Sequence, residues 1–234
     1  MNIDFSYVCY VVGRISVAIP YTMLVIVISG SLGILLAAGI ATVRIKKWKV
    51  LSPLSDLYVS FFRSTPCLIH IFLVYYGLPL ILREFGIDAD GWSKTFYASL
   101  ALILYNGAYM SEYLRPAYLA VGKGQHDAAD SIGMNGFTKF RRILLPQMLP
   151  IAWPNLENAF VELVKDTSVL FVIGLTDIMG LAKKIISNDF GVKKLEVFLA
   201  AAIIYWCITF AVGKLCQVFE KKVIAGKQTE KRVG

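Results

Sequence analysis

ISVAIPYTMLVIVISGSLGILLAAGIATV, residues 15–43, runs for 29 positions without a charged side chain. At about 1.5 Å of rise per residue, a helix of this length crosses a hydrocarbon core of about 30 Å with room to tilt. A secretory signal has an apolar centre of about 7–15 residues behind a basic start. Here the run is far longer, and the residues before it hold Asp4 and Arg14 instead of a basic cluster. The stretch is therefore expected to stay in the protein as a spanning helix. Composition agrees: 57% of residues are apolar, 17% are charged and the mean hydropathy is +0.63, outside ordinary soluble usage. The lipid bilayer is thus an expected partner.

Four more apolar stretches follow, at residues 66–82, 96–114, 146–174 and 195–218. They predict an all-α integral membrane protein with five transmembrane helices, in a single domain covering residues 1–234. An odd count puts the termini on opposite sides, and lysine and arginine decide which is which, because cytoplasmic loops carry the excess. Sixteen of the 24 basic residues follow spans one, three and five, against seven on the other face. This places the N-terminus outside and the C-terminus in the cytoplasm. The net charge of +8 belongs to that asymmetry and implies no nucleic acid.

The cytoplasmic connection between spans three and four, residues 117–146, holds Asp127-Ala128-Ala129, then Gly133 after three residues, then Ile143-Leu144-Leu145-Pro146 after nine more. That spacing resembles the EAA loop of ABC-importer permeases, with Asp127 in place of the usual glutamate. The resemblance implies that these residues seat the chain on a separate ATPase. Read physically, the loop suits a pair of short coupling helices. Asp127 is expected near a helix N-terminus, which favours a carboxylate. Ala128 and Ala129 allow close approach, Gly133 offers a break, and Phe137 and Phe140 supply apolar knobs. No GxxxxGK followed by Ser or Thr occurs, so the chain has no P-loop of its own, and ATP-Mg is expected on the partner ATPase.

Phe62-Arg63-Ser64-Thr65-Pro66, leading to Tyr75-Tyr76-Gly77-Leu78-Pro79, is similar to the FRGTP and YxGLP stretches of the polar amino-acid branch of these permeases, with Ser64 in place of glycine. Tyr109-Met110-Ser111-Glu112, Lys123-Gly124-Gln125, Leu145-Pro146-Gln147 and Lys165-Asp166-Thr167-Ser168 match motifs of that branch in the same order. The likeness runs from about Pro20 to Phe219. It implies a multi-pass protein of a prokaryotic cell membrane and a dimer with a second permease subunit, the same or homologous. It also implies an ATPase dimer and an extracytoplasmic amino-acid-binding protein, with a small polar amino acid of the histidine, glutamine, arginine or cystine type as solute. Glu112 and Arg115, three apart near the inner end of span three, are expected to pair within their helix.

Span four is unusual in its ionisable residues, which are expensive in lipid and generally face protein or water. At about 100° per residue, Asn155, Asn158, Glu162, Lys165 and Asp166 share an arc of roughly 100°, a polar stripe about 16 Å long. Two readings stay open. The stripe lines a solute path, with Glu162 and Asp166 as acceptors and Lys165 as counter-charge; or Glu162 pairs with Lys165 and the Lys165-Asp166-Thr167 run anchors a helix break. Glu157 falls on the opposite face. Pro146, Pro150 and Pro154, four apart, predict a bent or interrupted first half of the span.

The cysteines at 9, 67, 207 and 216 and the histidines at 70 and 126 are scattered without metal-ligand spacing, so neither a metal site nor an enzyme is expected. An ion-coupled secondary carrier is the rival reading, with the acidic stripe as an ion relay, but it leaves the loop at 127–146 without a role.

Overall fold

A computed structural model describes residues 3–233, with side chains described through Lys221, and the described backbone is helical without strands. The Asp4 carboxylate caps α1 (Phe5–Ser16) by accepting the Tyr7 N–H at 3.0 Å. The chain turns at Val17 and Ala18 and enters α2 (Ile19–Lys46) with proline in its first turn. The apolar run beginning at Ile15 is thus divided between two helices. Pro20 has no N–H to offer the Ser16 carbonyl, so a helix continuing from α1 stops there.

Lys47 ends α2 in left-handed backbone at φ 51°. A helix the sequence reading did not anticipate follows, α3 (Leu51–Ser64), ended by extended Thr65 before Pro66, as the residue preceding proline prefers. Next come α4 (Cys67–Phe72), one π turn (Leu73–Gly77) and α5 (Leu78–Glu84). His70 is buried at this joint, with its Nε2 2.7 Å from the Thr65 hydroxyl and its ring stacked on Phe62 at 4.3 Å.

Ser93 caps α6 (Lys94–Leu119). Two short helices, α7 (Lys123–Ser131) and α8 (Gly136–Lys139), lead through a second π turn (Phe140–Leu144) into α9 (Leu145–Asp166). Each π turn stops two residues before a proline, Pro79 or Pro146. A proline ring crowds the carbonyl four residues earlier, and widening the preceding turn relieves the contact.

Of the bend or interruption expected from Pro146, Pro150 and Pro154, the interruption does not occur, since α9 is continuous to Asp166. Each proline removes one hydrogen bond from the ladder, but Met148, Ala152, Leu156, Ala159 and Leu163 are buried along the other side of the helix and hold it to the bundle. The break comes later, in a 3-10 segment (Thr167–Ile173) ended by Gly174 at φ 73°. Asp177 then caps α10 (Ile178–Asn188) by accepting the Gly180 N–H at 2.9 Å, and α11 (Lys194–Val233) completes the chain.

Among the described residues, three helical segments are long and apolar enough to cross a membrane by length and composition: Ile19–Lys46, Cys67–Glu84 and Lys194–Lys221. The packing centre is the pair α2 and α6, with α9 against both and α11 behind α9. Small residues make the close approach possible: a Cβ on Gly33 would lie 3.7 Å from the Ile103 carbonyl oxygen, and one on Gly107 only 2.8 Å from Leu36. Lys193 fastens the other end, bonding Asp4 at 2.8 Å and lying 4.2 Å from the Tyr7 ring centroid. It holds the Asp4 carboxyl below the usual carboxylate range, so this tether is present above the ordinary carboxylate pKa and weakens only in strong acid.

Glu112 differs from expectation. Its carboxylate pairs with Arg44 of α2 and, at 2.8 Å, with Arg63 of α3 instead of Arg115. Two guanidiniums arriving from neighbouring helices outcompete one three residues along the same helix, because they reach both carboxylate oxygens and join three elements at once.

Gly107→Val is expected to force α2 and α6 apart and destabilise the protein by about 1–3 kcal/mol, as overpacking does. Gly107→Ala brings a Cβ to 2.8 Å from Leu36 Cδ2, 3.1 Å from its Cγ and 3.4 Å from the Gly33 carbonyl oxygen, and should have a smaller effect because the Leu36 side chain can shift. The melting midpoint in detergent, followed by size-exclusion of the heated protein, measures both.

Candidate functional site

The loop between α6 and α9 is a built structure. Gly133, at φ 72°, closes α7: its N–H donates to Asp130 O at 3.0 Å, and the Met134 N–H donates to Ala129 O at 3.1 Å. This bond pair is the Schellman ending, whose left-handed residue is usually glycine. Space around Gly133 is open, so backbone conformation alone selects it. Asn135 then caps α8 by accepting the Thr138 N–H at 2.8 Å, and Lys139 reaches back to Asp130 at 2.7 Å. The two short helices are thereby fixed to one another.

They are also fixed to the bundle. Ala129 is buried, Leu144 is buried in the cluster formed with Met110, Leu114, Met148 and Leu156, and Ile143 and Leu145 pack against it. Gln147, one residue past Pro146, donates to Gln125 at 3.3 Å and to the Ile143 carbonyl at 2.9 Å.

Of the residues singled out in sequence, Ala129, Ile143, Leu145 and Pro146 face inward or lie half-buried, while Asp127, Ala128, Gly133 and Phe137 are exposed. Asp127 lies in the second turn of α7 and not at a helix N-terminus, because the helix starts earlier, at Lys123. Ile132 was not anticipated. At 70% exposed, beside Phe137 at 73% and Phe140, it gives the loop an apolar tip; an isoleucine directly before the turn glycine of a polar segment was the available signal.

Along α9, Asn155, Asn158, Glu162 and Lys165 are exposed together, and Asp166 is half-buried near Asn106. The face stands open because none of the described residues covers it. Glu162 and Lys165 form an ion pair three residues apart. Glu157 points away toward α11, close to Gly213, where Trp153 also anchors by donating to the Cys216 carbonyl at 3.0 Å. A row missed in the sequence borders the stripe: Tyr105, Tyr109 and Tyr113 of α6, four residues apart and half-buried. Tyr105 lies near Asp166 and Tyr113 near Glu162, and the Arg63 guanidinium sits 5.9 Å from the Tyr109 ring centroid. Among the described residues, no three His, Cys, Asp or Glu side chains gather as a metal site would require.

The family model for the binding-protein-dependent transport system inner membrane component matches residues 29–225. A probable amino-acid ABC transporter permease protein, PatM, of Vibrio harveyi is 37% identical over 92% of this chain and 94% of its own length. The L-cystine transport system permease protein TcyL of Bacillus subtilis is 33% identical over 94% and 91%. The nopaline transport system permease protein NocM of Agrobacterium fabrum is 36% identical over 88% and 86%. A crystal structure of an amino acid ABC transporter with histidines superposes with a TM-score of 0.78 at 26% identity, over 95% of this chain and 100% of that one. The inward-facing MetNI methionine ABC transporter shares the fold, with a TM-score of 0.65 at 16% identity over 89% of this chain and 96% of that one.

Gly133→Val forces a β-branched residue into left-handed backbone, at a cost of about 1–2 kcal/mol, and should raise the rate of limited proteolysis within 123–139 roughly tenfold. Gly133→Asn, which tolerates that backbone, should change it little.

Proposed function

Because the chain belongs to the binding-protein-dependent transport system inner membrane component family, we propose that it forms half of the translocation path of an ATP-driven importer for a polar amino acid. α2, α4 with α5, α6, α9 with its 3-10 extension, and α11 serve as the five spans, with the N-terminus outside and the C-terminus in the cytoplasm of a prokaryotic cell. A second permease subunit, the same or homologous, completes the path. An extracytoplasmic binding protein delivers solute, and ATP-Mg is bound and hydrolysed by a separate ATPase dimer.

One observation carries this reading. The loop at 123–144 is rigid within itself and anchored to α6 and α9, yet it presents Ile132 and Phe137 outward. An apolar tip on a stiff mount suits insertion into a cleft of the ATPase, where a movement is transferred and not absorbed. The amino-acid class draws support from the relatives and from the α9 stripe. Asn155, Asn158 and Glu162 offer hydrogen bonds, Glu162 and Lys165 offer opposite charges for a zwitterion, and the tyrosine row of α6 offers ring faces to an ammonium group. The same stripe also fits an internal clamp through the Glu162–Lys165 pair, and substitution separates the two roles.

Proteoliposomes holding the chain with its co-purifying subunits and binding protein should show ATP hydrolysis stimulated by one amino acid of a panel and coupled to its uptake. Uptake that follows an ion gradient without ATP would overturn the importer in favour of a secondary carrier. In the same preparation, Glu162→Gln is expected to raise the uptake KM about tenfold for solutes bearing an extra positive charge, the scale of a lost charged hydrogen bond. Unchanged kinetics across the panel would assign the stripe to the clamp.

A further inference from the structure

Where α2 turns into α3, a cleft of about 400 Å³ opens, lined by Arg44, Lys47, Trp48, Lys49, Asp56 and Arg115 among others. Four cations face one carboxylate there. Arg44 is engaged, its Nε 2.6 Å from Asp56 and its Nη1 on Glu112. Among the described residues the ion pairs include none of Lys47, Lys49 and Arg115. The Arg115 Nε is shut away from solvent, and no described residue accepts its hydrogen. Lys47, Lys49 and Arg115 thus line the cleft without a carboxylate partner among the described residues, which gives it the chemistry of an anion site.

Lys47 closes α2 in left-handed backbone at φ 51°, a common way for a helix to end, and lines the cleft together with Lys49.

The adjoining surface identifies the source of the anion. Leu51, Leu54, Leu57 and Phe61 form one exposed apolar face along α3, starting at the rim of the cleft, and Trp48 is exposed between the two. A soluble phosphate compound would use the cations and leave that face without a role. A lipid uses both, and basic pockets at the cytoplasmic ends of membrane helices are suited to anionic headgroups. We propose that the cleft binds the phosphate of an anionic phospholipid of the inner leaflet, through Lys47, Lys49 and Arg115, with the acyl chains lying along α3.

The full-length chain, purified with its co-purifying subunits, is exposed to vesicles of equal parts phosphatidylcholine and phosphatidylglycerol, then transferred to detergent, and the retained lipid is counted by native mass spectrometry. The wild type should retain phosphatidylglycerol in preference, and Arg115→Gln and the double variant Lys47→Gly/Lys49→Gln should each lower retention about tenfold. Glycine at 47 relieves the left-handed strain, so loss of lipid in the double variant cannot come from a disrupted turn. Equal retention of both lipids, or full retention in both variants, overturns the proposal. Complete displacement by inorganic phosphate at millimolar concentration overturns it in favour of a soluble anion. Loss of the ATPase from the double variant overturns it in favour of a subunit contact at this cleft.

Discussion

The close approach of α2 and α6 at Gly33 and Gly107 is the constraint on which the other packing depends. In lipid no hydrophobic force draws two helices together, so contact comes from van der Waals fit and is greatest where side chains are smallest. With backbone nearly against backbone, the two helices act as one body. α9 then packs on that body, and Phe160 and Leu163 fill the space left by Gly30, where a Cβ would come within 3.2 Å and 3.3 Å of them. The loop carrying Ile132 and Phe137 connects α6 to α9, so it is mounted on two members of this trio. The loop is joined to the α9 stripe through the π turn at Phe140–Leu144 and the unbroken helix that follows it.

Irregular backbone is placed so as to spare that trio. The π turns precede Pro79 and Pro146, and the 3-10 segment follows Asp166, while α2, α6 and α9 run unbroken through their shared contact. Pro150 and Pro154 sit on the less buried side of α9, where a missing ladder bond frees a carbonyl without separating any packed pair. The break falls where the polar stripe ends, so the 3-10 segment packs on α10, α4 and α2 while α9 stays between α6 and α11.

Much of this was legible in the sequence because membrane physics writes in long runs. The uncharged stretch at 15–43, the later apolar stretches and the spacing of Asp127, Gly133 and Pro146 need only composition and distance along the chain. What escaped depends on contacts between distant segments. α3 was hidden because its apolar residues, Leu51, Leu54, Leu57 and Phe61, alternate with polar ones and read as a loop when judged by mean hydropathy. α1 was not anticipated as a helix, and its last residues, Ile15 and Ser16, were counted with the following span because only the missing N–H of Pro20 separates them. Glu112 was assigned to Arg115 because proximity along a helix is visible in sequence, whereas Arg44 and Arg63 come from 68 and 49 residues away. The prolines of α9 do not interrupt it, since local propensity does not register the packing that holds a helix together.

The Glu112 cluster also sets an order among the helices. Its two arms are unequal: the Arg44 side chain is 12% exposed and the Arg63 side chain 46%. Charges near water interact weakly, with exposed pairs contributing about 0–1 kcal/mol, whereas separating a more buried pair strands desolvated charge and is considerably more costly. Arg44 belongs to α2, which the glycine seam already locks to the helix bearing Glu112. Arg63 belongs to α3, which packs on α6 through a smaller contact. Both effects act in the same direction, so α3 parts from α6 at less cost than α2 does, and α2 and α6 remain paired around Glu112.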